Sequence, residues 1–213
     1  MLGIDPITFL YFVVALLAAL TVHEAAHALV ADRLGDPTGR NLGRISLNPI
    51  VHLDPMGTLM ILMASLLGIG IGRGKPVPVN PFNLRLGPKT GMALVAGAGP
   101  AANLLLAASV AVVLQEGAVL GLWTGDLIWL RGLLRFVAVV NVSLAIFNLI
   151  PLPPLDGFSV LMGILPTRPA YSLSRVAEYG PALLLLLVFF GGNLLGRYLS
   201  FFGTPILRAL GVV

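Results

Sequence analysis

Ile7-Thr8-Phe9-Leu10-Tyr11-Phe12-Val13-Val14-Ala15-Leu16-Leu17-Ala18-Ala19-Leu20-Thr21-Val22 runs without a charge straight into His23-Glu24-Ala25-Ala26-His27. Two imidazoles and a carboxylate are therefore carried at bilayer depth, where ionisable groups are costly and mark function. Four residues advance about 400° around an α-helix, so His23 and His27 project from one face and can grip one Zn²⁺. Glu24 lies beside them, placed to act on a metal-bound water. Chance is the bland alternative. With three His in the chain, composition gives on the order of one His-Glu-x-x-His per thousand chains of this kind.

Working outward, 57% of the 213 residues are hydrophobic and 10% are charged. Soluble domains carry about 25% charged residues, so the chain reads as an integral membrane protein. No polar segment is long enough to build a second, soluble core, which leaves one intramembrane domain over residues 1–213 with a catalytic core over 6–160. Cysteine is absent, which excludes a disulfide framework, a thiolate zinc site and a cysteine nucleophile. The net charge of +4 is no sign of nucleic-acid binding, because the basic residues cluster in loops beside apolar segments. They speak of topology and anionic headgroups. The first basic residue is Arg33, so the N-terminus does not read as a cleaved signal peptide.

The pattern predicts an all-α polytopic fold with about four spanning helices. The first covers Pro6–Leu34, with Pro6 in a first turn and Gly35-Asp36-Pro37 as its stop. The alternation in Arg40–Leu47 allows a short strand or hairpin. Gly57–Gly72 is apolar but short for a span and reads as re-entrant or tucked. Lys89–Leu114 and Arg131–Ile150 are the next spans, with Gln115–Leu130 a loop between them. Phe158–Leu165 is a short tucked helix, and Ala177–Phe202 is the last span. Arg33, Arg40 and Arg44 in one loop and Arg73, Lys75 and Arg85 in another place both in the cytoplasm under the positive-inside rule. That puts the N-terminus outside and the His-Glu-x-x-His end of the first helix toward the cytoplasm.

A catalytic zinc needs three protein ligands and an open position. The acids at membrane depth reduce to Glu24 and Asp156. Asp156 follows Pro151-Leu152-Pro153-Pro154-Leu155, where a broken helix frees backbone to line a wet cavity. It reads as the third ligand, with an N-cap of the following helix as the alternative.

These residues resemble the site-2 protease family of intramembrane zinc metalloproteases. The resemblance rests on His23-Glu24-x-x-His27, on Gly99-Pro100-x-x-Asn103, and on Asn148 followed eight residues later by Asp156-Gly157. Ser46-Leu47-Asn48-Pro49 to His52-Leu53-Asp54-Pro55 and Lys75–Pro81 are similar to a compact bacterial branch, without the PDZ or CBS modules of larger members. The resemblance implies that His23, His27 and Asp156 ligate one zinc and that Glu24 is the general base. It also implies that Asn148 positions substrate or steadies an oxyanion. The expected substrates are single-span or unwound transmembrane segments of other proteins, cleaved in a bacterial plasma membrane with the site toward the cytoplasm.

Other polar residues have plainer readings. His52, between prolines in a loop, reads as a packing or hydrogen-bonding residue. Asn103 is either structural or a support for the metal site, and Asn141 is inter-helix glue. Gly91, Gly97 and Gly99 offer small faces for close helix packing. Arg197 can snorkel to the interface. Two other functions compete with an endopeptidase: a metal-binding protein or transporter, and a scaffold without catalysis. Transporters often carry internal repeats, and none stands out here. A scaffold would be indifferent to loss of Glu24.

Overall fold

The computed structural model describes residues 5–53 and 75–213. Those residues form α1 (Pro6–Arg33), α2 (Thr38–Asn41), α3 (Gly87–Val119), α4 (Ile128–Asn148), α5 (Asp156–Ile164), α6 (Thr167–Ser174), α7 (Gly180–Phe190) and α8 (Gly192–Ala209). Among the described residues, four stretches are helical, long and apolar enough to cross a membrane: Pro6–Arg33, Gly87–Val119, Gly125–Asn148 and Thr167–Phe190.

Helix α1 starts where Asp5 accepts the Thr8 N–H at 3.0 Å, with Pro6 in the first turn. It ends in a glycine cap. Gly35 takes φ +111°, and the N–H groups of Gly35 and Asp36 return to Asp32 O and Ala31 O, closing the last carbonyls of the helix. Its buried stripe runs Ala15, Ala19, His23, His27, Ala31 in steps of four. Helix α3 presents a matching stripe of Gly91, Val95, Gly99, Asn103, Ala107 and Ala111. Lipid tails are as apolar as leucine, so helices in a bilayer hold together by close packing and hydrogen bonds, which small residues permit. Helix α3 is accordingly central, packed against α1, α4 and α5. The main core lies on its far half, where Ala107, Val110, Ala111 and Leu114 meet Ala138, Val142 and Ile146 of α4 and Leu207 and Val212 of the C-terminus.

Three expectations change. Among the described residues there is no strand: Arg40 and Asn41 belong to α2, and Gly43, at φ +69°, closes that turn. Helix α3 runs on through Gln115 and Glu116 to Val119, because both polar side chains sit on its exposed side. The anticipated single span 177–202 is broken at Gly191, where a Cβ would come within 2.5 Å of Leu187 O. The apolar stretch instead comprises α6, a 3₁₀ turn and α7, while α8 folds back onto α4. Gly57–Gly72 lies outside the described residues.

The loops before and after that segment are tied together. The Lys75 N–H donates to His52 O at 2.8 Å, and the Arg85 N–H to Leu34 O at 2.8 Å. The Arg44 guanidinium, buried, donates to Val51 O at 2.6 Å, Lys75 O at 3.3 Å and Pro76 O at 3.4 Å. The Asp36 carboxylate joins both loops. It accepts from Thr38 Oγ1 at 2.6 Å and the Thr38 N–H at 3.3 Å. From the second loop it accepts Asn83 Nδ2 at 2.9 Å and the Asn80 N–H at 2.8 Å.

Burial pushes the Asp36 carboxyl up, but the donors from Thr38, Asn83 and Asn80 outweigh it and hold the group below its ordinary value of 3.8. A lowered folded value means that the stabilisation is complete above 3.8 and is lost as pH falls through the depressed value. Asp36→Ala should destabilise the folded protein by about 2–4 kcal/mol and remove that acid-sensitive component from melting curves in detergent. Topology has its own check. Single cysteines in place of Leu42 and Phe82, 60% and 85% exposed, should be labelled from the same side of the membrane. Labelling from opposite sides would contradict the clamp.

Candidate metal centre

The stripe of α1 that carries alanines elsewhere carries two imidazoles here, four residues apart and both buried. Their rings stand at 90° with centroids 4.6 Å apart, so the pair shares a face while each ring keeps its own hydrogen-bond direction. His27 Nδ1 lies 2.7 Å from Val95 O. A carbonyl only accepts, so Nδ1 carries a proton, and in the neutral ring Nε2 carries the lone pair. His23 Nδ1 lies 2.7 Å from Asn103 Oδ1 and is held in the same sense. Both free Nε2 atoms face one carboxylate oxygen. Asp156 Oδ2 is 3.0 Å from His23 Nε2 and 3.4 Å from His27 Nε2.

Asp156 gets there because α4 ends at Asn148 and the prolines of 151–154 forbid its continuation. The chain turns back into α5. Leu155 occupies the N-cap position, and Asp156 is already the first helical residue, with no capping hydrogen bond. The N-cap alternative is thereby overturned: the carboxylate is turned toward the imidazoles, not back onto its own helix. Gly157 allows the turn, since a Cβ there would lie 2.2 Å from Leu149 O.

The three residues fit a divalent ion. Asp156 Oδ2 is buried and finds no hydrogen-bond donor, although two nitrogens face it. Three electron-pair donors converging without a proton among them repel one another unless a cation stands between them. The ligand atoms all lie within 4.8 Å of one another. Atoms about 2.0–2.1 Å from a shared tetrahedral ion stand about 3.3 Å apart, close to the observed 3.0 and 3.4 Å. Two imidazoles and a carboxylate suit zinc and leave a fourth position open.

Comparison with known proteins places the chain in a family. The profile of peptidase family M50 matches residues 118–190, which include Asn148 and Asp156. YwhC of Bacillus subtilis, provisionally named a zinc metalloprotease, is 37% identical over 182 residues, covering 83% of this chain and 79% of YwhC. The chain belongs to peptidase family M50. Two Rip2 proteins with the same provisional name are 30% identical. That of Mycolicibacterium smegmatis aligns over 84% of this chain and 67% of its own length, and that of Mycobacterium tuberculosis over 92% and 71%. No solved structure matches.

The remaining candidates of this M50 chain take distinct places. Glu24 is half-buried, next to His23 in the chain. Asn148 stands at the last turn of α4, its Nδ2 donating to Leu144 O at 3.0 Å. His52 is 1% exposed, and its Nε2 bonds to Ser46 O at 2.8 Å, away from the cluster. Gly99 does more than permit packing. A Cβ at that position would lie 2.6 Å from His23 Cε1 and from His27 Cε1 and Nε2, so its missing side chain is the floor on which both rings rest. A Cβ at Gly97 would meet only Val160, at 3.9 Å. Sequence reading missed this role, although the four-residue stripe of α3 set against that of α1 carries the signal. Gly99→Ala should displace the imidazoles and lower zinc affinity at least about tenfold, as loss of ligand support does. Gly97→Ala should leave it unchanged. Chelator competition on the purified variants measures both.

Proposed function

We propose that this M50 chain is a zinc-dependent intramembrane endopeptidase in which His23, His27 and Asp156 hold the metal and Glu24 is the general base. The observation that carries the reading is the convergence of His23 Nε2, His27 Nε2 and the orphaned Asp156 Oδ2 inside a bundle of membrane-length helices. Zinc, when bound, supplies a Lewis acid that lowers the pKa of a water toward about 7 and polarises a peptide carbonyl.

Glu24 takes the proton from the attacking water and delivers it to the leaving amine, so one carboxylate serves as base and then acid. Asn148 steadies the carbonyl oxygen as it gains charge. Its side-chain amide, now donating to Leu144 O, turns from its own helix to do so. His27 lies six residues from Arg33, about 9 Å of helical rise. The site is therefore below the membrane surface on the side of the basic loops, which the positive-inside rule makes cytoplasmic, in a bacterial plasma membrane. A helical substrate hides its carbonyls in its own hydrogen bonds, so the enzyme acts on transmembrane segments that unwind near that surface, as in regulated intramembrane proteolysis.

Two substitutions test the assignment. Glu24→Gln should keep one zinc per chain and reduce cleavage of a transmembrane reporter by about 10²–10⁴-fold. Asp156→Asn should fold, bind zinc more weakly and cleave poorly. Metal analysis and reporter cleavage in liposomes read both. Full zinc affinity and full activity in Asp156→Asn would remove it from the ligand set. Undiminished activity in Glu24→Gln would remove the base.

A further inference from the structure

The two ligand imidazoles are oriented by different means. His27 donates to a backbone carbonyl, Val95 O, which cannot exchange roles. His23 faces the side chain of Asn103, and an amide can turn over to present nitrogen instead of oxygen. What surrounds Asn103 settles its direction. Its Nδ2 donates to Ala19 O at 2.9 Å and to Asn141 Oδ1 at 2.8 Å. Turning the amide over would press its oxygen against both of those acceptors. Asn141 cannot answer by turning as well, because its own Nδ2 donates to Val137 O at 2.8 Å. Both asparagines are 0% exposed, so no water can substitute for a lost partner, and an unpaired buried polar group is costly.

We propose that Asn103 is a positioning residue that fixes His23 in the Nδ1–H tautomer, and that Asn141 locks Asn103 in the direction this requires. The lone pair of His23 Nε2 is then always presented toward Asp156. The inference rests on reading the cluster as a zinc site. It joins three helices in one chain of donors: Asn141 on α4, Asn103 on α3, His23 on α1. Inter-helix adhesion alone would need the hydrogen bonds but would not depend on which way the Asn103 amide points.

The test uses the full chain in detergent micelles, with zinc as the only ligand. Asn103→Leu should keep its helical content and cooperative melting yet bind zinc about 10–100-fold more weakly, read by chelator competition. Asn141→Leu, which frees the amide to turn, should lose affinity in the same direction by a smaller factor. Wild-type affinity in a folded Asn103→Leu protein would overturn the proposal. Nitrogen-15 NMR of the metal-free wild-type chain provides a second measurement that needs no variant to fold. The neutral His23 ring should carry its proton on Nδ1, and a proton on Nε2 would overturn the proposal. Failure of the wild-type chain to bind zinc would instead strike the metal assignment, and the tautomer would still decide the role of Asn103.

Discussion

The contact between the four-residue stripes of α1 and α3 is the constraint from which the rest follows. Ala15, Ala19 and Ala31 fill three places along the first stripe, and His23 and His27 fill the two between. Imidazoles are far larger than methyl groups, so the facing helix must give way at that level and nowhere else. Gly99 is where it gives way. One turn to either side, α3 supplies the two acceptors the rings require, Val95 O and Asn103 Oδ1. The surface that binds the helices together in lipid is thus the surface that orients the two imidazoles. A change that parted the two helices at that level would therefore also release the imidazoles.

The clamp at the basic end of α1 secures that contact lengthwise. Four residues of rise are about 6 Å, so even a slide of one or two residues would bring His23 or His27 opposite a bulkier part of α3. Helix α1 is held against such a slide by its glycine cap and by the Asp36 and Arg44 networks, which tie the loop after α1 to the loop before α3. The nearer of the two anchors, Asp36, follows His27 by nine residues. The buried charges there are fully engaged with donors and acceptors from both loops, the condition under which a buried polar network stiffens a structure.

Much of this was legible in the sequence wherever a period or a scarcity could speak. The spacing of His23 and His27 on an uncharged run gave the helix and the shared face. Asp156 was legible because few acids lie at membrane depth, but whether it capped a helix or faced the imidazoles was not. That choice depended on Leu155 taking the cap position, a difference of one residue. The strand expected over Arg40–Leu47 failed because Gly39 and Gly43 suit a tight helical turn, with Gly39 packed near Ala28 and Val77. Alternation over a few residues cannot outweigh such a tertiary contact. Asn141 read as inter-helix glue, and it does bond across helices. Its further connection to His23 through Asn103 involves three helices, and no local pattern encodes that.

The carboxylate that faces the two imidazoles could not have come from α1. The next position on the same stripe, Ala31, lies a full turn beyond His27 and cannot bring an oxygen back to the point where both Nε2 atoms meet. An oxygen at that point must arrive from across the bundle, on an element that ends there. The prolines after Ile150 end α4 at the required level, and Gly157 lets the chain double back with its backbone nearly touching Leu149 O. Helix α5 then lies along α3, where a Cβ at Gly163 would meet Ala93 at 2.2 Å, so its direction is fixed by contact with the same helix that floors the site. The centre is therefore complete only when α1, α3 and the α4–α5 break are all in register. A cation bound there favours the assembled bundle over any state in which those elements have parted.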